Sequence, residues 1–177
     1  VMQAPTGQYR ITVRALPVSG DKDTASDWAE WTSPTFSIDW KTEGYIPQSQ
    51  LTVSSPGNAG GDTGALSDDN IFTVAESSTE ATYDIDLGGV YDISKVHYTP
   101  EQRVRAGHAT RWTVQASPDG ATWTDVGAGD IESGSFNPTI LELDAAVRAR
   151  YVRVSLTNGQ DGATALQVAE LRVAGTA

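Results

Sequence analysis

The sequence predicts an all-β sandwich or barrel, and three observations carry that prediction. Apolar and polar residues alternate in short runs, Gly, Pro, Asn and Asp punctuate them, and no helical period of useful length occurs anywhere in the 177 residues.

The runs can be justified in order. Between Tyr9 and Ala15, the residues Ile11, Val13 and Ala15 alternate with polar ones, which predicts a strand that buries them and leaves Arg10 and Arg14 in water. A Gly- and Asp-rich turn region over 19–27 follows, then Trp28 and Trp31, then a second alternating run of Phe36, Ile38 and Trp40. Together they predict a hairpin. A lone hairpin cannot bury its own apolar face, so these strands require further strands upstream or a docking place on the next domain.

The stretch 41–50 holds Gly44 and Pro47 and has no period, so a linker is placed at 42–48 and the main domain at 49–177. A first strand is expected within 49–55, ahead of a glycine-rich loop over 56–64. The run 81–87 sets Tyr83, Ile85 and Leu87 on one face and Asp84 and Asp86 on the other, and it stops at Gly88-Gly89. A strand over 93–98 ends at Pro100. The run 111–117 turns Trp112, Val114 and Ala116 inward and reverses at Pro118-Asp119-Gly120, a strong turn signal, so that 122–126 returns beside it. Strands over 139–143, 149–156 and 167–173 complete the set.

Composition narrows the function. Twelve basic residues against 23 acidic ones give a net charge of -11, which excludes nucleic acid or an anionic membrane as the natural partner, since both require a basic face. There is no cysteine, hence no disulfide framework and no thiolate metal site. No apolar run approaches the length of a membrane span. The first residues, Val1-Met2-Gln3, carry no signal-peptide pattern, so the chain reads as a mature fragment. Two histidines and no G-x-S-x-G leave no nucleophilic constellation, and no catalytic activity is expected of this chain.

One stretch, 65–73, packs oxygen donors closely between glycine-rich sequence: Asp68, Asn70 and Thr73. A hard cation such as Ca²⁺ gathers six to eight such oxygens. Ser, Asp and Asn also make ordinary solvated turns, and the stretch alone does not choose between the two.

Four short motifs then occur in sequence: Asp86-Leu87-Gly88, Ser117-x-Asp119-Gly120-x-x-Trp123, Ala149-Arg150-Tyr151-Val152-Arg153-Val154, and Ala169-Glu170-Leu171-Arg172-Val173. In that order they resemble the discoidin or coagulation factor 5/8 type C family, and within it the family 32 carbohydrate-binding modules of bacterial glycoside hydrolases. The resemblance covers about 49–175. It implies a jelly-roll β-sandwich, a structural Ca²⁺ ion and a ligand site in loops at one end. The implied role is that of a non-catalytic module on a secreted or cell-surface bacterial hydrolase, with a glycan and the upstream modules of the same polypeptide as partners. Residues 1–41, through Gly7-x-Tyr9 and Ser26-x-Trp28, resemble the last strands of a fibronectin type III or immunoglobulin-like sandwich, with Tyr9 as its tyrosine-corner residue.

The resemblance also implies a ligand set for the ion. Ala65 and Ala169 occupy carbonyl positions, Asp68 and Glu170 are the carboxylates, and Asn70 and Thr73 complete the set, so the ion would fasten the first loop to the last strand. At the sugar site the chain departs from the family. Val74 and Glu76 stand where an aromatic and a histidine are usual, Glu101 replaces an arginine, Gly107 and His108 fill the asparagine's loop, and Thr164-Ala165-Leu166 replace the last aromatic. What remains for a ligand is Glu76, Glu101, Arg103, Arg105, His108 and Gln160, beside Asn158 and Asp161, with no aromatic face placed among them. Trp123 reads as structural and His97 as a strand residue. The expected function is carbohydrate binding. The alternatives are a structural sandwich that packs on its parent enzyme after losing its ligand site, and a discoidin-type module that recognises protein.

Overall fold

The computed structural model describes residues 7–38, 44–56, 60–132 and 134–177. The chain divides into two compact units, Met2–Thr42 and Glu43–Ala177.

In the smaller unit, β1 (Gly7–Tyr9) pairs antiparallel with β4 (Phe36–Ile38), and β2 (Thr12–Ala15) pairs with β3 (Ala29–Thr32). The predicted hairpin is therefore present, as two short ladders. The burial predicted for its apolar face is not: Ile11, Val13 and Trp31 are more than half exposed, and Ala15 is exposed too. Two short ladders supply no second layer, so alternation alone does not make a core. The position of Trp40 and the side chains of Tyr9, Phe36 and Ile38, including the tyrosine corner, lie outside the described residues.

In the larger unit, seven antiparallel strands form one continuous ladder. They are β5 (Thr52–Ser54), β6 (Ala75–Ser77), β7 (Glu80–Pro100), β8 (Arg111–Ser117), β9 (Thr124–Asp130), β10 (Thr139–Thr157) and β11 (Leu166–Thr176). The ladder folds into two layers because β7 and β10 pass from one to the other. The first part of β7 lies between β5 and the end of β10, which β8 and β9 extend; its last part lies between β11 and the start of β10, with β6 outside β11. A β-sandwich results.

The runs 81–87 and 93–98 belong to this one bent strand. Gly88 sits at φ +73, and the register opposite Ala149 and Tyr151 jumps from Tyr91 to Asp86. The glycine pair therefore marks a bulge in the strand rather than its end. The break between 143 and 149 is the same kind of feature, a shift between Glu142 and Val147.

Tyr83, Ile85 and Leu87 of β7 are fully buried with Val152, Val154 and Leu156 of β10, Val114 of β8, and Leu171 and Val173 of β11, in one cluster. Each such side chain contributes about 1.5–3 kcal/mol of transfer free energy. Trp112 joins them because β9 offers Gly127 and Gly129 opposite it: a Cβ on either would stand about 3 Å from the indole ring.

Residues 44–48, expected to lie in a linker, are tied to β11. Gly44 O accepts from Gly175 N, Ile46 N donates to Val173 O, and Ile46 is buried. Tyr45 bonds His97 Nε2, and burial, then Lys95, then Arg172 push the imidazole down to about 4. An unfolded histidine titrates near 6.5, so between about pH 6.5 and 4 the unfolded chain binds the extra proton. The stabilisation is complete above pH 6.5 and is lost as pH falls toward 4. Denaturant midpoints measured over that window should fall more steeply for the natural chain than for His97→Gln, and equal slopes would show that His97 does not contribute.

Candidate functional site

Two regions of the larger unit gather the residues singled out in the sequence. The first is the turn from 62 to 73. Asp62 caps a 3₁₀ turn (Thr63–Ser67) by accepting from Gly64 N, and Asp69 follows in the left-handed region at φ 58, unusual for a residue other than glycine. Asp68 accepts from Asn70 N and from the Thr73 hydroxyl, at 2.9 and 2.7 Å, and Asn70 Oδ1 accepts from Phe72 N. Gly61, at φ +71, brings the chain so close to β6 that an added Cβ would stand 2.2 Å from Glu76 O. Only glycine fits there.

Across from this turn lies β11. Glu170 is 1% exposed; its Oε2 accepts twice from Arg172, whose guanidinium also pairs with Asp69 at 2.9 Å. Its other oxygen, Oε1, is buried with no hydrogen-bond partner among the described residues. Burial raises the carboxyl's proton affinity, Arg172 opposes this, and the carboxylates of Asp69 and Asp68 raise it again. An acceptor-only oxygen, desolvated and under the negative charge of Asp69 and Asp68, fits a cation. Ala65 in the turn and Ala169, next to Glu170 in sequence, are both buried, and Gln48, near the start of the larger unit, reaches the carbonyls of Leu66 and Leu171, tying the turn to β11. Among the described residues no three His, Cys, Asp or Glu side chains converge. A site of two carboxylates completed by carbonyl, amide and hydroxyl oxygens contains no such triplet.

The second region is an end of the sandwich where the segments 101–110, 134–138 and 158–165 meet. Glu101, 1% exposed, accepts from the backbone N–H groups of Arg103 and Val104 and pairs with the Arg103 guanidinium. Burial alone would raise its proton affinity, but these bonds outweigh it and lower it. His108, 2% exposed, is fixed by Nε2 on Glu101 O at 2.8 Å, and its Nδ1 is buried without a partner among the described residues. Gln160 donates to the carbonyls of Arg105 and His108, both at 3.1 Å, and the buried Asn158 donates to those of Ala106 and Ala165. Glu76 accepts from Gln167, whose side chain packs on Gly107.

Five of the six residues predicted to contact a ligand lie in these segments, and Glu76, on β6, reaches them only through Gln167. Glu101, His108 through Nε2, and the Gln160 amide N–H groups are bonded to the loops themselves. Arg103 and Arg105 are exposed. Beside them stands an aromatic that the sequence reading did not name, Phe136: its ring meets His108 edge-on with centroids 5.3 Å apart, and the Arg105 guanidinium lies over it, 5.0 Å from its centroid. Phe136 stands in a run, Ser133 to Pro138, with no periodicity and none of the quoted motifs. An aromatic in a polar loop was the only signal available.

Removing Asn158 tests how far the loops depend on one amide. Asn158→Ala removes the donor to two part-buried carbonyls, which should cost about 1–2 kcal/mol in denaturant unfolding. A loss below about 0.5 kcal/mol would mean that the loops are held by other contacts.

Comparison with known proteins adds the following. The family model described as F5/8 type C domain matches residues 50–171. A sialidase from Micromonospora viridifaciens is 33% identical over 94 residues, 51% of this chain but 14% of that enzyme, so the chain spans a small part of the relative's length. Among solved structures, CpGH89CBM32-5 from Clostridium perfringens, in complex with GalNAc-beta-1,3-galactose, superposes with a TM-score of 0.65 at 20% identity, covering 74% of this chain and 99% of that one. The family 32 carbohydrate-binding module of Clostridium perfringens NanJ, in complex with galactose, gives 0.63 at 22%, covering 73% and 97%. CBM32-3 from a family 31 glycoside hydrolase of the same organism gives 0.66 at 22%, covering 78% and 99%. At these identities the likeness establishes the fold.

Proposed function

The chain belongs to the F5/8 type C domain family, and from that premise we propose that it is a non-catalytic carbohydrate-binding module with a structural calcium ion, appended to a secreted bacterial glycoside hydrolase. The observation that carries the reading is the loop end, where the Phe136 ring stands beside the exposed Arg105. A pyranose presents an apolar C–H face and a rim of hydroxyls, and an aromatic ring beside a charged donor matches both. The sugar-bound solved structures support the class of ligand, and the short share of the sialidase that the chain spans supports a module within a larger enzyme. Such a module raises the enzyme's effective concentration on a glycan surface without any chemistry of its own. Residues 1–41 are read as the closing strands of a fibronectin type III-like module, whose missing layer would cover Ile11, Val13 and Trp31.

The spending of Glu101, His108, Asn158 and Gln160 on loop structure favours the second reading, a module that has lost its ligand. Calorimetric titration of the whole chain with galactose and with GalNAc-beta-1,3-galactose decides between them. Millimolar or tighter binding, weakened about tenfold by Phe136→Ala or Arg105→Ala, supports the first reading. Silence towards both sugars and a glycan array supports the second.

The ion would be held by Asp68 and Glu170, with the Ala65 and Ala169 carbonyls, Asn70 and Thr73. It would supply charge for the unpartnered Glu170 oxygen and lock the 62–73 turn on β11. Free Ca²⁺ at a hundred times its dissociation constant adds about 2.7 kcal/mol of stability. Chelation should therefore lower the melting temperature by several degrees, and Glu170→Gln should abolish that response. A melt indifferent to chelator removes the ion from this account.

A further inference from the structure

A second cleft lies away from the loop end, on the outward face of β5, β7 and β10. Its origin is the register. Thr52 stands opposite Asp86, which stands opposite Tyr151; one step along, Ser54 stands opposite Asp84, which stands opposite Arg153. Strand alternation turns all of these away from the core that Tyr83, Ile85 and Val152 fill. The turn at Gly120 then folds over the sheet. A Cβ on Gly120 would stand 3.5 Å from the Tyr151 ring, and the turn carries Trp123 to the Arg153 guanidinium, 4.0 Å from the ring centroid. The result is a cleft of about 200 Å³ with aromatic walls and a polar floor.

Its charges are pre-set. Arg153 holds Asp84 with two bonds of 2.6 and 2.8 Å, and Arg150 holds Asp86 with two of 2.9 and 2.8 Å. The Arg150 bonds and the Gly88 amide outweigh burial and lower the Asp86 proton affinity. Two arginines cancel two carboxylates, so the cleft is neutral within a chain of net charge -11. Both Asp84 oxygens and Asp86 Oδ2 keep a lone pair beyond the bond to arginine and can accept from a hydroxyl, whereas Asp86 Oδ1 is taken by Arg150 and the Gly88 amide. Asp84 and Asp86 are two residues apart on one strand, about 7 Å along it, a span that one sugar ring with hydroxyls on opposite edges can bridge. Arg153 lies over the indole and Arg150 over the phenol, so the rings offer the C–H surface their edges and the sides left uncovered.

We propose that this cleft is a second carbohydrate subsite, taking one neutral pyranose and working independently of the loop end. The inference rests on the carbohydrate-binding reading above but uses none of the loop-end residues. A chain with two separate one-ring sites holds a branched or surface-bound glycan by avidity, each site being weak alone.

The test is a nuclear magnetic resonance titration of the whole ¹⁵N-labelled chain with galactose, glucose and GalNAc-beta-1,3-galactose, following the Trp123 indole N–H, assigned through Trp123→Phe. The expected result is a saturable shift of that signal which survives Phe136→Ala. Thr52→Arg fills the cleft from an exposed position outside both ion pairs, and in that variant the apparent affinity should weaken at least roughly tenfold while the melting temperature stays within a few degrees. A Trp123 signal that does not move, or moves equally in Thr52→Arg, overturns the second subsite. If the 101–110 amides shift while Trp123 is silent, the loop-end reading stands and this one falls. If Trp123 shifts and those amides are silent, the loop-end site falls and this one stands. Silence at both removes both.

Discussion

The pairing of β7 with β10 is the constraint on which the rest of the larger unit depends. Both strands run through both layers, so their register decides at once which side chains enter the core and which line the outer face. Because the side-chain period in a strand is two, a slip of one residue would send Tyr83, Ile85 and Leu87 to solvent and Asp84 and Asp86 into the interior. Burying two carboxylates while exposing three large apolar groups would cost far more than a domain's net stability. The ion pairs of Asp84 with Arg153 and Asp86 with Arg150 add to the same register from the outside, bidentate and across the strand boundary. Core and outer face therefore demand one alignment.

Much of this was legible in the sequence. The alternation over 81–87 and 111–117 is strict, and inward residues such as Ile85 and Val114 are buried as it predicts. The failures have a common physical cause: local signals report chain direction but not what lies opposite. Gly88-Gly89 read as the end of a strand, yet the ladder resumes beyond it, because a bulge and a turn use the same glycine conformation. Ile11 and Val13 alternate as well as any core strand, and they are exposed because burial is a property of the covering layer and not of the run. The three-residue β6 was missed outright, being too short to show a period and set by pairing with β11.

The candidate site was legible to a similar degree and for similar reasons. The six loop-end residues were placed in one neighbourhood by the family pattern, but residue type does not say whether a polar group is spent. Glu101 and His108, predicted as ligand contacts, also bond the loop itself, since a long turn must satisfy its own amides and carbonyls and the nearest side chains do so. Phe136, which no motif marks, lies under the Arg105 guanidinium, a pairing between loops that the sequence does not display. Trp123 read as structural, and the structure gives it a second aspect: the ring that caps the Asp84–Arg153 pair also forms a wall of the outer cleft.

Glu101 and Glu170 bring the electrostatic argument to a point. Both are almost wholly buried, both sit near an arginine, and burial pushes both towards the protonated form. Glu101 receives backbone donors at Arg103 and Val104 in addition to its guanidinium, and the balance turns in favour of the anion. Glu170 receives bonds from Arg172 alone, at one oxygen, while Asp68 and Asp69 press on it from the turn. A buried carboxylate with an unpartnered oxygen and acidic neighbours is costly, and a chain can relieve that cost by a proton or by a metal. Several uncharged oxygens stand in sequence around Asp68 and Glu170, at Ala65, Asn70, Thr73 and Ala169. A proton needs no such set and a hard cation does, which is why the deficit at Glu170 supports an ion at that place rather than a neutral acid.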